Sequence, residues 1–193
     1  MRIAHVVPFG EQPWSGITTV IVDLSAALAR RGHDVTVWQL RPWDTERYAS
    51  QQARLDAAGV AANLVPFPQD HPWLMVGRVP LPTADIVHLH AGFNPSTTRV
   101  ARSLSGPYAF SPHGNYMPAS RRRSRLRKDV YAWLFERGMI RRAALLCALS
   151  EEERRTLEAF GPRAPIAVIP NGVNPPSPAR DGAAWRARAG VPD

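Results

Sequence analysis

The sequence predicts an α/β fold built on a doubly wound, mostly parallel sheet. Three observations carry this. Short β-branched runs alternate with longer helix-periodic segments along most of the chain. The first such run, the helix after it and the next run make one strand-helix-strand unit, which closes with a right-handed crossover. And 193 residues with 45% hydrophobic content suffice for one sizeable core but are short for two full domains. A parallel sheet covered on both faces, Rossmann-like in its winding, meets all three.

Taken in order, the expected strands are Ile3–Val7, Val35–Trp38, Ala62–Val65, Ile86–Leu89, Tyr108–Phe110, Leu145–Leu149 and Ile166–Ile169. The first helix is set by Ile17, Val20, Ile21, Leu24 and Leu28 at helical spacing, with Gly32 as its stop. Further helices are expected over Thr45–Ala58 and Ser96–Leu104, while Phe67–Pro82, with four prolines, reads as irregular. The longest helix is expected over Ser120–Arg142, its apolar stripe drawn largely from Val130, Leu134, Phe135 and Ile140. Ser150 and Glu153 have the spacing of a capping box, in which each side chain bonds the other residue's amide. The stretch Pro170–Pro178 is too rich in proline to be regular and reads as a semi-rigid linker. Residues 1–174 are therefore expected to form one domain, and 175–193 a linker and the start of another, with Trp185 on a short helix at Ala183–Ala189.

The formal charge of +8 is almost all arginine, since Lys128 is the only lysine, and favours an anionic partner without choosing one. The single Cys147 sits in an apolar run, so no disulfide framework exists and a buried thiol is expected. With no secretory leader and no apolar stretch long enough for a bilayer, the expected location is cytoplasmic, at most peripheral at the inner membrane face.

In doubly wound sheets ligands bind beyond the carboxyl ends of the strands, near helix N-termini whose free amides attract anions. The loop carrying Ser15, Gly16, Ile17 and Thr18 lies at that edge and is placed to approach a phosphate. Without G-x-G-x-x-G spacing, it gives little support to a dinucleotide cofactor. His88 and His90 share one strand face, and His113 follows the next strand between Pro112 and Gly114. All three should gather at the carboxyl edge. No carboxylate or thiolate stands at ligand spacing, so no metal is expected, and a buried structural role is expected for His88. His113, on a loop at the ligand edge, is the candidate for chemistry. Asn94 and Tyr116 lie on the same set of loops and suggest a mixed polar and apolar site. The arginines Arg121, Arg122, Arg123 and Arg125 oppose the dipole at the expected start of the long helix, which favours binding an anionic group such as a phosphate or a lipid headgroup. Nucleic acid is not expected, because the run has no interleaved stacking aromatics.

Asp85-Ile86-Val87-His88-Leu89-His90, Ser111-Pro112-His113-Gly114, the Arg-rich segment through Tyr131–Arg137, Ser150-Glu151 and Val168-Ile169-Pro170-Asn171-Gly172-Val173 together resemble retaining glycosyltransferases of family 4, the bacterial polysaccharide type above all. The resemblance implies a GT-B architecture of two Rossmann-like domains, with a nucleotide-sugar donor held mainly by the second and a sugar or lipid-linked acceptor by the first. It implies no catalytic metal and no cofactor. It places Ser15-Gly16-Ile17, with Thr18 beside them, near the donor diphosphate and acceptor, His113 against the donor sugar, and Asn171 and Gly172 at the hinge; His90, Asn94, Gly114, Asn115 and Tyr116, at the same edge of the sheet, are the expected acceptor-side residues. The family's usual paired glycines are here Ser15-Gly16, and its carboxylate-bearing donor motif is absent. The expectation is an acceptor-side domain that transfers little sugar without its donor-binding partner. Two other classes stand beside it: a non-catalytic domain for a glycan or lipid phosphate, and, less favoured, a Rossmann-type oxidoreductase with Arg41 near a cofactor phosphate.

Overall fold

The computed structural model describes residues 1–8, 16–40, 46, 48–65, 83–122, 125–172 and 188. Seven strands form one sheet: β1 (Arg2–Val7), β2 (Asp34–Gln39), β3 (Ala61–Leu64), β4 (Ile86–His90), β5 (Tyr108–Ser111), β6 (Leu145–Ala148) and β7 (Ile166–Val168). Their spatial order is β3-β2-β1-β4-β5-β6-β7, and every pairing is parallel. The order reverses direction between β1 and β4, which is where doubly wound sheets open a ligand crevice.

Alternation along the strands divides the core in two. Ile3, Val7, Val35 and Val37 face α1 (Gly16–Arg30) and α2 (Ala49–Ala57), meeting Ile21, Val22 and Leu55. Ala4, Val6, Val87, Leu89, Phe110 and Leu146 face the other way, packing with Val100 of α3 (Pro95–Ser103), Met139 and Ile140 of α6 (Arg137–Arg142) and Leu157 of α7 (Glu151–Glu158). Gly32 ends the turn after α1 with φ +83°, a left-handed conformation that costs glycine nothing.

The expected 23-residue helix is the main departure. In its place stand α4 (Pro118–Arg121), α5 (Arg125–Tyr131), a π-helical turn over Ala132–Glu136, and α6. The buried face runs through Ala132, Glu136, Met139, Ile140 and Ala143, so the stripe expected from Val130, Leu134 and Phe135 is wrong: these three are 49%, 55% and 40% exposed, and of the four only Ile140 lies in the core. A carboxylate inside the buried stripe masks its period, and the wider π turn rotates Trp133, Leu134 and Phe135 outward. The segments Phe67–Pro82, Trp185 and nearly all of the 175–193 tail, for which the sequence set expectations, lie outside the described residues. Among the described residues no helix is long and apolar enough to cross a membrane.

Candidate functional site

Three consecutive strands of the sheet bring four imidazoles together. His5 of β1 and His88 of β4 are partners in register, so they share a face, and His90 follows two residues on. His113 comes from the loop after β5. Their rings lie close together, the His88 and His90 centroids 4.0 Å apart at a tilt and the His90 and His113 centroids 5.2 Å apart and stacked. His5 Nδ1 lies 3.0 Å from His90 Nε2, and His90 Nδ1 lies 2.9 Å from His113 Nε2. His88 instead bonds the Ser111 hydroxyl at 2.7 Å. Burial disfavours the charged form of all four: it brings His5 and His113 to about 4 and holds His88 and His90 well below the usual imidazole range. Among the described residues, His5, His88 and His90 form a group whose ligand nitrogens lie within 4.8 Å of one another. Zinc accepts such imidazoles, yet here the facing nitrogens of His5 and His90 bond each other.

The loop carrying His113 is held in an uncommon shape. His113 has φ +55° and Gly114 φ +78°, two successive left-handed residues, of which the first is a non-glycine and carries strain. Glu153 secures it. Its Oε1 accepts from the Gly114 amide at 2.5 Å and its Oε2 from the Leu149 amide at 2.8 Å. The capping box is thus half formed: Ser150 Oγ accepts from the Glu153 amide, while the Glu153 carboxylate serves Leu149 and Gly114 instead of Ser150. The preceding loop is tied in from the side. Asn115 donates to the Gly92 carbonyl at 2.7 Å, and Ala91 donates to that of Ser111.

A second buried carboxylate, which the sequence reading did not single out, braces that preceding loop. Glu136 is fully buried, accepts from the Asn94 amide at 3.2 Å and from the Tyr116 hydroxyl at 2.9 Å, and bonds the Phe93 amide. Burial raises its carboxyl to about 7, the hydrogen bonds pulling the other way. Ala91 and Phe93 here have φ of +64° and +53°, so the braced loop is strained as well. Gly92 between them leaves no room for a side chain, since a Cβ there would come within 2.6 Å of the Tyr116 ring.

These contacts sort the expected site residues. His90, His113, Asn171 and Gly172 line one cavity of about 520 Å³ between α1 and the sheet, together with His5 and His88. Its floor and wall are otherwise mostly apolar, with Leu24, Leu28, Ile86 and Leu145 prominent. Tyr116 is fully buried and Asn94 caps α3 by accepting from the amides of Ser96 and Thr97, so both shape the loops from behind. Gly114 and Asn115 hold the His113 loop through the bonds already given. Gly16, Ile17 and Thr18 form the first turn of α1 and do not line the cavity, and Ser15 lies outside the described residues. Of the arginines, Arg121 pairs with Asp129, and Arg125 approaches the same carboxylate at 3.7 Å. Arg122 is exposed, and Arg123 lies outside the described residues.

Residues 14–176 match the profile of the family described as Glycosyltransferase Family 4. The chain belongs to glycosyltransferase family 4. No curated protein matches it. Among solved structures, the sucrose-phosphate synthase of Thermosynechococcus elongatus is similar in fold, with a TM-score of 0.59 at 16% identity over 100% of this chain. That match takes in 53% of the synthase, so the family 4 chain spans about half its length. The seven-stranded parallel sheet, its flanking helices and the family match together make this a Rossmann-like glycosyltransferase family 4 domain.

Proposed function

We propose that the chain provides the acceptor-side half of a retaining glycosyltransferase site that uses a nucleotide-sugar donor, the donor being held mainly by a second domain. The observation that supports it most is His113, fixed at the carboxyl edge by Glu153, with Nδ1 buried and without a partner among the described residues, beside a cavity large enough for sugar. Sugar transfer passes through an oxocarbenium-like state as a diphosphate departs, so the site needs fixed dipoles near the sugar and the leaving group. His113 supplies one such dipole, and the N-terminal end of α1 at Gly16 and Ile17 supplies a helix dipole suited to a phosphate. Asn171 and Gly172 line the cavity, and a hinge there would let a donor domain close and exclude water. No cofactor and no catalytic metal enter this scheme.

The test is donor-dependent transfer by the 193-residue chain, alone and mixed with a separately produced donor-binding domain of the family. The expectation is little turnover alone, turnover in the mixture, and its loss by a factor of about 100 or more with His113→Ala. Robust transfer by the chain alone would overturn the division of labour.

A second reading, a non-catalytic domain for a lipid phosphate or glycan, draws support from the apolar lining of the cavity. Tight binding of such a ligand, with no transfer under any donor and no gain in the mixture, would favour it. Either reading includes a peripheral contact with an anionic leaflet through the exposed side chains of α5 and the π turn.

A further inference from the structure

His5, His90 and His113 form a chain of rings joined by two hydrogen bonds, His5 Nδ1 to His90 Nε2 and His90 Nδ1 to His113 Nε2. The two nitrogens at its ends, His5 Nε2 and His113 Nδ1, are both buried and have no hydrogen-bond partner among the described residues. A neutral imidazole carries one proton and one lone pair. Three neutral rings therefore hold three protons, of which two fill the bonds between rings, and the third must sit at one end. Only two arrangements exist. Either His113 Nδ1 bears the proton and His5 Nε2 is bare, or the reverse.

The surroundings choose between them. An unpaired buried N–H is the costlier orphan, so the proton belongs at the end where an oxygen from outside can meet it. His5 is only 1% exposed within the sheet, whereas His113 is half-buried on a loop at the carboxyl edge. We propose that His5 and His90 are positioning residues that lock His113 with its proton on Nδ1, which becomes a hydrogen-bond donor to an oxygen of the bound sugar once sugar binding uncovers that buried nitrogen. The order of donation is His5 to His90, His90 to His113, and His113 to the ligand. Desolvation keeps all three rings neutral at pH 7, the condition the relay needs. His88 stands outside the chain, its Nε2 engaged by Ser111.

The role toward sugar rests on the glycosyltransferase reading, but the ring protons are read without turnover. Long-range ¹H–¹⁵N NMR of the histidine rings in the 193-residue chain at neutral pH should show His113 protonated at Nδ1 and bare at Nε2. His90→Asn, whose carboxamide N–H can stand where His90 Nδ1–H stood, should keep that form. His90→Phe, which fills the space but donates nothing, should shift the majority of His113 to the Nε2–H form that free imidazole prefers. Finding His113 protonated at Nε2 in the unaltered chain overturns the relay, whatever becomes of the variants. So does an unchanged His113 in His90→Phe. A stoichiometric zinc ion retained by the purified chain and lost in His88→Ala overturns it too, because the facing nitrogens of His5 and His90 would then be ligands. An inactive chain with Nδ1–H His113 leaves the relay standing and counts only against the transferase reading.

Discussion

Glu153 and Glu136 do for two neighbouring loops what a strand partner does for a strand. Each buries a carboxylate that accepts from at least one amide at or beside a left-handed residue. Glu153→Ala would leave the Gly114 and Leu149 amides without their acceptors, at a cost of about 2–4 kcal/mol, measurable as a lower urea midpoint. Acid should act on the histidines. Their folded pKa values lie below the unfolded one, so the stability they give is complete above about 6.5 and is lost as pH falls toward 4. Glu136 has the opposite sign: raised to about 7, it favours the fold at low pH and loses that contribution as pH climbs from the unfolded carboxyl value to 7. Four imidazoles outweigh one carboxyl, so melting temperature should fall steadily on acidification from pH 6.5 to 4.5, and the fall should lessen in His5→Phe. His113 was legible in the sequence because a histidine between proline and glycine after a strand announces a loop at the ligand edge. Glu136 was not, because a lone glutamate on a helix looks like any solvated residue until the fold buries it.

At the scale of elements, strands were the most legible, since β-branched runs bounded by turn residues leave few alternatives. The segment after β5 was the least. Its charge run suggested one helix from Ser120, but Arg121, Asp129 and Lys128 instead knit α4 to α5, with Lys128 Nζ donating to the Ser120 carbonyl at 2.6 Å. The π turn then gives Glu136 its buried place and leaves Leu126, Val130, Trp133 and Leu134 in a stripe 49–78% exposed beside exposed Arg122, Arg125 and Arg127. An apolar stripe flanked by arginines suits the interface of an anionic leaflet. Binding to vesicles containing phosphatidylglycerol should exceed binding to phosphatidylcholine vesicles and weaken with salt. Leu126→Ser with Trp133→Ser should reduce it about tenfold or more without lowering thermal stability. Equal sedimentation of the double variant and the unaltered chain would remove the membrane contact from the proposal.

For the molecule as a whole, the sheet explains why the candidate site residues gather at one edge: parallel strands all end on the same side, and the direction of winding reverses between β1 and β4, which carry His5, His88 and His90. Fold class was readable because it depends on the succession of elements, which any one misjudged helix leaves intact. The strand order also bears on how the protein is made. With order β3-β2-β1-β4-β5-β6-β7, each new strand adds to a free outer edge, and none has to be threaded between two already in place. Synthesis from the N-terminus can therefore lay the sheet down as the chain leaves the ribosome. The rings of His5, His88 and His90 would meet once β4 had docked, but the clasp on Gly114 comes from Glu153, 39 residues downstream. A nascent chain stalled between β5 and α7 would thus carry His5, His88 and His90 in place and its His113 loop unfastened, so that the candidate site is completed late in translation and all at once.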